Sequence, residues 1–461
     1  MSTKHSKAAE KFLQDGKMAA WHNETLWMVR AKRDKMSKDV PEWEELRDKA
    51  CELKLYSNSH LEELLLEFEQ NATANGAIVH WAKDADEYCR IVFDILSGHN
   101  VKHFVKSKSM LAEECGLNPY LIDHGIDVVE SDLGERILQL MHLEPSHIVL
   151  PAIHIKREQV GELFEKEMGT EKGNFDPTYL THAARKNLRH LFLGAEAAMT
   201  GANFAVASTG DIVVCTNEGN ADMGTSFPKL NIAAFGMEKI VPDMEALGIF
   251  TRLLARSATG QPVTTYTSHY RHPREGGEYH IIIVDNGRSA LLSKPDHIKT
   301  LNCIRCGACM NTCPVYRRSG GYSYTYFIPG PIGINLGMAH EPEKYYDNLS
   351  ACSLCMSCSD VCPVKVDLAE QIYKWRQKLD QLGKASAAKK VMSGGMKFLM
   401  ERPVLFNAAL WASPVVNGLP RFLKYNSLND WGKGRELPKF AKESFNEMWK
   451  KNKVQGKEEQ Q

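Results

Sequence analysis

The sequence predicts an α/β domain built on a largely parallel sheet, with helices before it and a smaller α-rich module of different construction after it. Three observations carry that prediction. From about residue 76, short apolar runs alternate with amphipathic stretches, the pattern of strand–helix repeats. Residues 1–70 show a helical rhythm alone. Beyond residue 297 periodicity stops, and prolines, glycines and eight of the 12 cysteines take over. The chain therefore divides into a helical lead-in (1–70), an α/β domain (71–297), a cysteine module (298–380) and a C-terminal helical region with a tail (381–461).

In the lead-in, Trp43, Leu46, Ala50 and Leu53 recur at three- and four-residue steps, and the run from His60 does the same. Strands are predicted at Ile78–Trp81, Lys102–Val105, Asp127–Glu130, His147–Ala152, Asn203–Ala207, Asp211–Thr216 and His280–Asp285. Helices are predicted between them at Asp86–Leu96, Gln159–Glu167, Thr178–Ala197 and Met244–Ala258. Asp176-Pro177 supplies a capping side chain and then the proline that suits a first helical turn.

Lys+Arg and Asp+Glu are equal at 57 each, so no net field draws the chain to nucleic acid or anionic lipid. The N-terminal stretch has no apolar core and carries Glu10 and Asp15, which argues against a secretory or transit signal. From Pro403 to Pro420 no residue is charged. Pro403, Pro414, Gly418 and Pro420 interrupt that stretch, so it reads as a docking surface or a buried helical turn rather than a membrane span. The expectation is a soluble, cytoplasmic protein with no transmembrane segment. The last residues, KKNKVQGKEEQQ, read as a solvated tail.

Clustered cysteines in a chain of this length point to metal rather than to disulfides. Cys303-Ile-Arg-Cys306-Gly-Ala-Cys309-Met-Asn-Thr-Cys313-Pro314 has the spacing of bacterial two-cluster ferredoxins, and Cys352-Ser-Leu-Cys355-Met-Ser-Cys358-Ser-Asp-Val-Cys362-Pro363 repeats it. Three thiolates at two-residue gaps wrap one corner of a cubane, and the cysteine before proline reaches the neighbouring cluster. The spacing thus predicts two [4Fe–4S] clusters: one on Cys303, Cys306, Cys309 and Cys362, the other on Cys313, Cys352, Cys355 and Cys358. Zinc sites use paired cysteines and have no use for a third at the next two-residue gap. The module is expected to be held by metal rather than by an apolar core. Arg305, Arg317, Arg318 and Lys365 lie beside the runs, where positive charge favours a reduced cluster and where a solvated role fits equally. The Gly- and Tyr-rich insert between Cys313 and Cys352 reads as a covering loop or a partner face.

Cys51, Cys89, Cys115 and Cys215 stand apart and read as small buried hydrophobes. The α/β domain has no G-x-G-x-x-G or P-loop in the required context. Glu218, at a predicted strand end, is a candidate catalytic carboxylate, because α/β sheets bind ligands there; beside Gly219 it equally fits a polar turn. His80, His154, His269, His272 and His280 have no metal-site spacing.

Taken whole, the chain resembles the lactate-utilisation protein B family. The resemblance runs through Trp43-Glu-Glu-Leu-Arg47, Gly76-Ala-Ile-Val-His80-Trp-Ala, Glu130-Ser-Asp-Leu-Gly-Glu135 and Glu144-Pro-Ser-His147. It continues through Ser208-Thr-Gly-Asp211, both cysteine runs and Pro329-Gly-Pro-Ile-Gly333. It implies an LUD-type domain, similar to CoA-transferase and sugar-phosphate isomerase sheets, followed by a two-cluster module. It also implies electron transfer in the oxidation of L-lactate to pyruvate, allowing growth on lactate. The implied partners are a cysteine-rich redox subunit, an LUD-only subunit and an electron acceptor that the sequence does not identify. The competing reading makes the LUD domain itself an enzyme that binds or transforms a small acid or thioester near Glu218.

Overall fold

The computed structural model describes residues 4–379, 381–384, 387–425 and 437–450. The chain divides into two compact units, one from Ser2 to Lys378 and one from Leu379 onward.

The first unit is organised by a six-stranded sheet in the order β1-β10-β7-β4-β2-β3. Its strands are β1 (Ile78–Ala82), β2 (His103–Lys106), β3 (Asp127–Glu130), β4 (Ala197–Gly201), β7 (Leu230–Gly236) and β10 (Glu278–Val284). Every neighbouring pair is parallel. Side chains alternate across the two faces. In β10, Ile282 and Val284 join the core under the helix Ala85–Gly98, while Ile281 and Ile283 join the core under Leu61–Ala74. Burial on both faces is what a parallel sheet needs, because its crossover helices cover both. A second, four-stranded sheet has the order β8-β5-β6-β9, from β5 (Phe204–Val206), β6 (Asp211–Thr216), β8 (Ile240–Val241) and β9 (Tyr266–Tyr270).

Three expected elements differ from the structure. His147–Ala152 is turn and loop rather than strand: His147 ties it to Asn311 of the cysteine module, and the Pro151 carbonyl accepts from Ser146 within the loop rather than from a sheet edge. The helix expected to reach Ala197 ends at Leu193, and Ala197 opens β4. The cysteine module does have an apolar interior: Met310, Tyr316, Ile328, Ile332, Met338, Val364 and Ile372 are all buried. The insert between the runs contributes to it, since the helix Gly330–His340 is enclosed on nearly every side. A helix buried all round shows no amphipathic period, so its sequence does not look helical.

The lead-in helices pack on this module. Arg33 Nη2 donates to Val361 O at 3.0 Å, and Arg47 donates to Cys362 O at 3.0 Å and to Asp360 O at 2.7 Å. Both guanidiniums are buried. Asp176 caps its helix as expected, accepting from Tyr179 N at 2.8 Å.

In the second unit Pro403 opens a helix to Ala412, and Pro414 and Pro420 precede two further short helices. The prolines punctuate helices there rather than abolish them. No residue of these helices is buried, so the expected buried turn is absent among the described residues. Among the described residues no helix is long and apolar enough to cross a membrane. The expected solvated tail lies outside the described residues, apart from Lys450 at a helix end.

Candidate functional site: two thiol sets and an adjoining cavity

Each cysteine run bends the backbone the same way. Arg305 and Leu354, two residues after the first cysteine of each run, are left-handed at φ 60° and 56°. Gly307 and Met356 follow at φ 76° and 63°. These turns aim backbone donors at sulfur: Arg305 N lies 3.4 Å from Cys303 Sγ, and Leu354 N lies 3.3 Å from Cys352 Sγ. The cysteines before proline receive donors too, Cys313 from Tyr316 N at 3.5 Å and Cys362 from Val366 N at 3.3 Å. A non-glycine residue in this region costs roughly 1–2 kcal/mol, so it persists only where the surroundings demand the turn. Gly307 has a second reason to be glycine, since a Cβ there would sit 3.0 Å from His147 Cε1.

The runs interleave. One small cavity is lined by Cys303, Cys306 and Cys309 of the first run together with Cys362 of the second. Burial pushes the Cys362 thiol up to about 11, with the charge of Cys303 adding to the effect. Cys313 stands near thiols of the second run: burial pushes it up to about 11, and the neighbouring charges that act on it are those of Cys352 and Cys355. Cys358, raised to about 12 by burial, is raised further by Cys313, Cys352 and Cys355. Cys309 feels burial first, then Cys303, Cys306, Cys358 and Cys362, so the two sets adjoin. A Thr312–Ser357 hydroxyl contact of 2.5 Å joins the short helices that carry them.

This donor set fits iron–sulfur chemistry. Thiolates in so buried a place need the charge of a metal to exist, and backbone N–H groups aimed at sulfur are what a cluster accepts. Among the described residues no three His, Cys, Asp or Glu side chains meet as ligands of one metal ion. The sets differ in access: Cys355 is exposed, whereas Cys306, Cys309 and Cys362 are buried. Sequence reasoning missed Arg33, Arg47 and Arg376. The last donates to the carbonyls of Leu349 and Cys352, the latter at 2.5 Å. Arg33 and Arg47 were hidden by their distance upstream of the runs, and Arg376 by its place in the helix Leu368–Lys378 beyond the second run. Of the residues singled out by proximity, Arg305 is enclosed, Arg317 lies over the Trp27 ring at 4.3 Å, and Lys365 pairs with Asp48.

Beside the first thiol set lies a cavity of about 260 Å³. It sits at the C-terminal ends of the sheet strands. Lys108 follows β2, Asp132 follows β3, Asn203 follows β4, and Glu238 and Lys239 follow β7. Glu218 lines it from the turn after β6. Partial burial raises the Glu218 pKa, and Asp132 raises it further. Burial opposes ionisation of Glu238, but Arg288, Arg305 and Lys239 outweigh it and bring its pKa down to about 2. Arg288 Nε reaches Glu238 at 2.5 Å, and its other nitrogens hold Glu114 at 2.9 Å. Gly236 permits this: a Cβ there would lie 2.3 Å from Glu238 Oε2 and 2.4 Å from Arg288 Nε. Burial lowers the Lys239 ammonium to about 8, and Arg305 adds to the effect.

The other singled-out histidines scatter. His80 and His280 share a 3.0 Å contact at one end of the main sheet, His154 meets Ser146 and Tyr322, and His269 pairs with Asp211.

His147 bridges the loop and the module. Its Nδ1 accepts from Val149 N and Leu150 N, so Nε2 carries the proton and donates to Asn311 Oδ1 at 3.1 Å. Burial, then Lys108, lowers its pKa to about 3. A histidine held neutral in the fold stabilises fully above its ordinary pKa near 6.5 and loses that stability as pH falls toward 3. By about pH 5 the loss from this group is about 2 kcal/mol. His147→Gln is therefore expected to show a shallower fall in thermal midpoint between these pH values than the unaltered protein.

The fold and the thiol sets define an LUD domain joined to an iron–sulfur module: the LUD domain model matches residues 65–288 and the 4Fe-4S dicluster domain model matches residues 299–366. The chain is 39% identical over 466 residues to Lactate utilization protein B of Shouchella clausii (strain KSM-K16), covering 98% of this chain and 97% of that one. It is also 39% identical over 441 residues to a protein of Escherichia coli (strain K12) described as "Uncharacterized electron transport protein YkgF", covering 93% and 92%. The chain belongs to the lactate utilization protein B family. A solved DUF162 family protein of Deinococcus radiodurans shares 14% identity at a TM-score of 0.27, covering 49% of this chain and 98% of that one.

Proposed function

We propose that the chain is the electron-carrying iron–sulfur subunit of a system that oxidises L-lactate to pyruvate. It holds one [4Fe–4S] cluster on Cys303, Cys306, Cys309 and Cys362 and a second on Cys313, Cys352, Cys355 and Cys358. The observation that carries the reading is the cavity shared by three thiols of one run and Cys362 of the other. When bound, the clusters take up and return single electrons, and lactate oxidation releases two electrons with two protons. The chain's own residues set the terms of that exchange. Backbone donors at 303, 313, 352 and 362 and the guanidiniums of Arg33, Arg47, Arg305 and Arg376 favour the more negative state. The exposed Cys355 marks the side where electrons pass to or from a partner.

The lactate step is supported by relatives in Shouchella clausii and Bacillus cytotoxicus that carry the name Lactate utilization protein B. The partners in this reading are a cysteine-rich redox subunit and an LUD-only subunit, in the cytoplasm. Anaerobically purified protein is expected to contain about eight iron and about eight acid-labile sulfide per chain. Stoichiometric zinc without sulfide overturns the reading. A second reading, in which the α/β domain itself binds or transforms a small acid or thioester near Glu218, is favoured by the cavity that Glu218 lines.

A further inference from the structure

We infer that the cavity at the C-terminal ends of the sheet is a binding site for a small organic carboxylate, seated between Lys239 and Arg305 against the wall that the cavity shares with the first thiol set. This rests on the second reading above and adds the ligand's chemistry, its seat and its link to the redox centre.

The charges on the cavity wall single out the seat. Four cations line it: Lys108, Lys239, Arg288 and Arg305. Two of them are spoken for. Lys108 Nζ donates to Val149 O at 2.9 Å, and Arg288 is held by Glu114 and Glu238. Arg305 reaches Glu238 through Nη2 at 3.5 Å, and its Nη1 is buried with no hydrogen-bond partner. Among the described residues, Lys239 Nζ has no hydrogen bond or ion pair within 4.0 Å. Arg305 Nη1 is thus a buried cationic donor without a partner, which is costly, and an anion placed against it and the half-buried Lys239 recovers that cost. Among the described residues, two carboxylates on the wall have no ion pair: Glu218, exposed in the turn after β6, and Asp132, close enough to raise the Glu218 pKa, so negative charge already occupies that side. An entering acid therefore turns its carboxylate inward.

Size and lining narrow the class. About 260 Å³ falls below the usual range for drug-sized ligands, too small to enclose a nucleotide or a whole coenzyme thioester, and suits an acid of a few carbons. Val214, Leu254 and Ala258 give the remainder an apolar wall for a short alkyl group. Cys306 and Ile148 line both this cavity and the one shared by the first thiol set. Negative charge seated beside that wall makes adding an electron to the first set's cluster harder. By linkage, an electron there weakens the hold on the acid.

The test uses the full chain, purified anaerobically with its iron and sulfide measured. Equilibrium dialysis with labelled L-lactate, and separately with pyruvate, is expected to show saturable binding of one acid per chain, with inorganic phosphate a poor competitor. Lys239→Met is expected to bind at least about tenfold more weakly, the loss of one charge-assisted contact, while Lys239→Arg recovers most of it. In redox titrations, saturating acid is expected to lower the midpoint of the wave that Cys306→Ala disturbs and leave the other wave in place. Binding that ignores Lys239→Met, or phosphate binding as well as the acids, overturns the site. Protein with full iron and sulfide that binds no acid refutes the site and leaves the electron-carrier reading standing. Protein that binds the acid but holds no iron does the reverse.

Discussion

Cys362→Ala is expected to disturb the same redox wave as Cys306→Ala, and Cys313→Ala the same wave as Cys355→Ala. Each pair joins residues from different runs, so sequence proximity alone groups them otherwise. If each run held its own cluster, Cys313→Ala would join Cys306→Ala. The two sets lie in unlike surroundings, one buried beside the Arg305–Glu238 network and one with Cys355 at the surface, so their potentials separate. Each variant is also expected to lose up to about four iron per chain, half of what two cubanes hold. Spectroelectrochemistry sorts the four variants by wave, and iron analysis gives an independent reading. Alanine is the substitute of choice because a serine oxygen can take the place of sulfur on iron. Grouping of Cys313 with Cys306 refutes the crossed scheme and leaves electron transfer itself untouched.

Glu238→Gln is expected to cost about 3–5 kcal/mol, the usual penalty for stranding buried charge by removing one partner. Glu238 is enclosed, with Arg288 at 2.5 Å and Arg305 at 3.5 Å, and an amide cannot balance either guanidinium. The carboxyl's shift from its ordinary 4.5 to about 2 points to a similar size, about 3 kcal/mol at 1.36 kcal/mol per unit. A depressed carboxyl contributes fully above its ordinary pKa and loses that contribution as pH falls toward 2. The variant should therefore have a lower thermal midpoint at neutral pH and lack part of the acid-side decline. Glu114 still faces Arg288 in the variant, so the stranded charge is chiefly that of Arg305. An unchanged midpoint at neutral pH would show that solvent already screens this network.

The order of elements was readable wherever a local pattern carried it. β3 and β6 and the helix Met244–Ala258 run where alternation or helical period placed them. Strands β4, β7, β8 and β9 were not readable, for distinct reasons. β4 is Ala-Ala-Met-Thr-Gly and β7 is Leu-Asn-Ile-Ala-Ala-Phe-Gly, both enclosed on both faces with no alternation to see. β8 has two residues, and β9 is a polar edge strand. At the site, Glu218 was visible as a strand-end carboxylate, while Lys239, Arg288 and Arg305 gave no sign of sharing a cavity with it. They come from three separate segments and meet there only after folding.

The sequence by itself determined the cysteine chemistry, because ligand spacing within a dozen residues is a local property that chain geometry enforces without help from the rest of the fold. It also determined that an α/β domain precedes the cysteines, through strand and helix periods that are local too. Tertiary structure alone decided which cations stand near sulfur, since Arg33 and Arg47 arrive from helices hundreds of residues upstream of the runs. It alone decided that the ends of β2, β3, β4 and β7 enclose a cavity whose wall is also Cys306. The pairing of distant segments depends on which apolar faces bury one another, and that sum over the whole core is written in no single stretch of sequence.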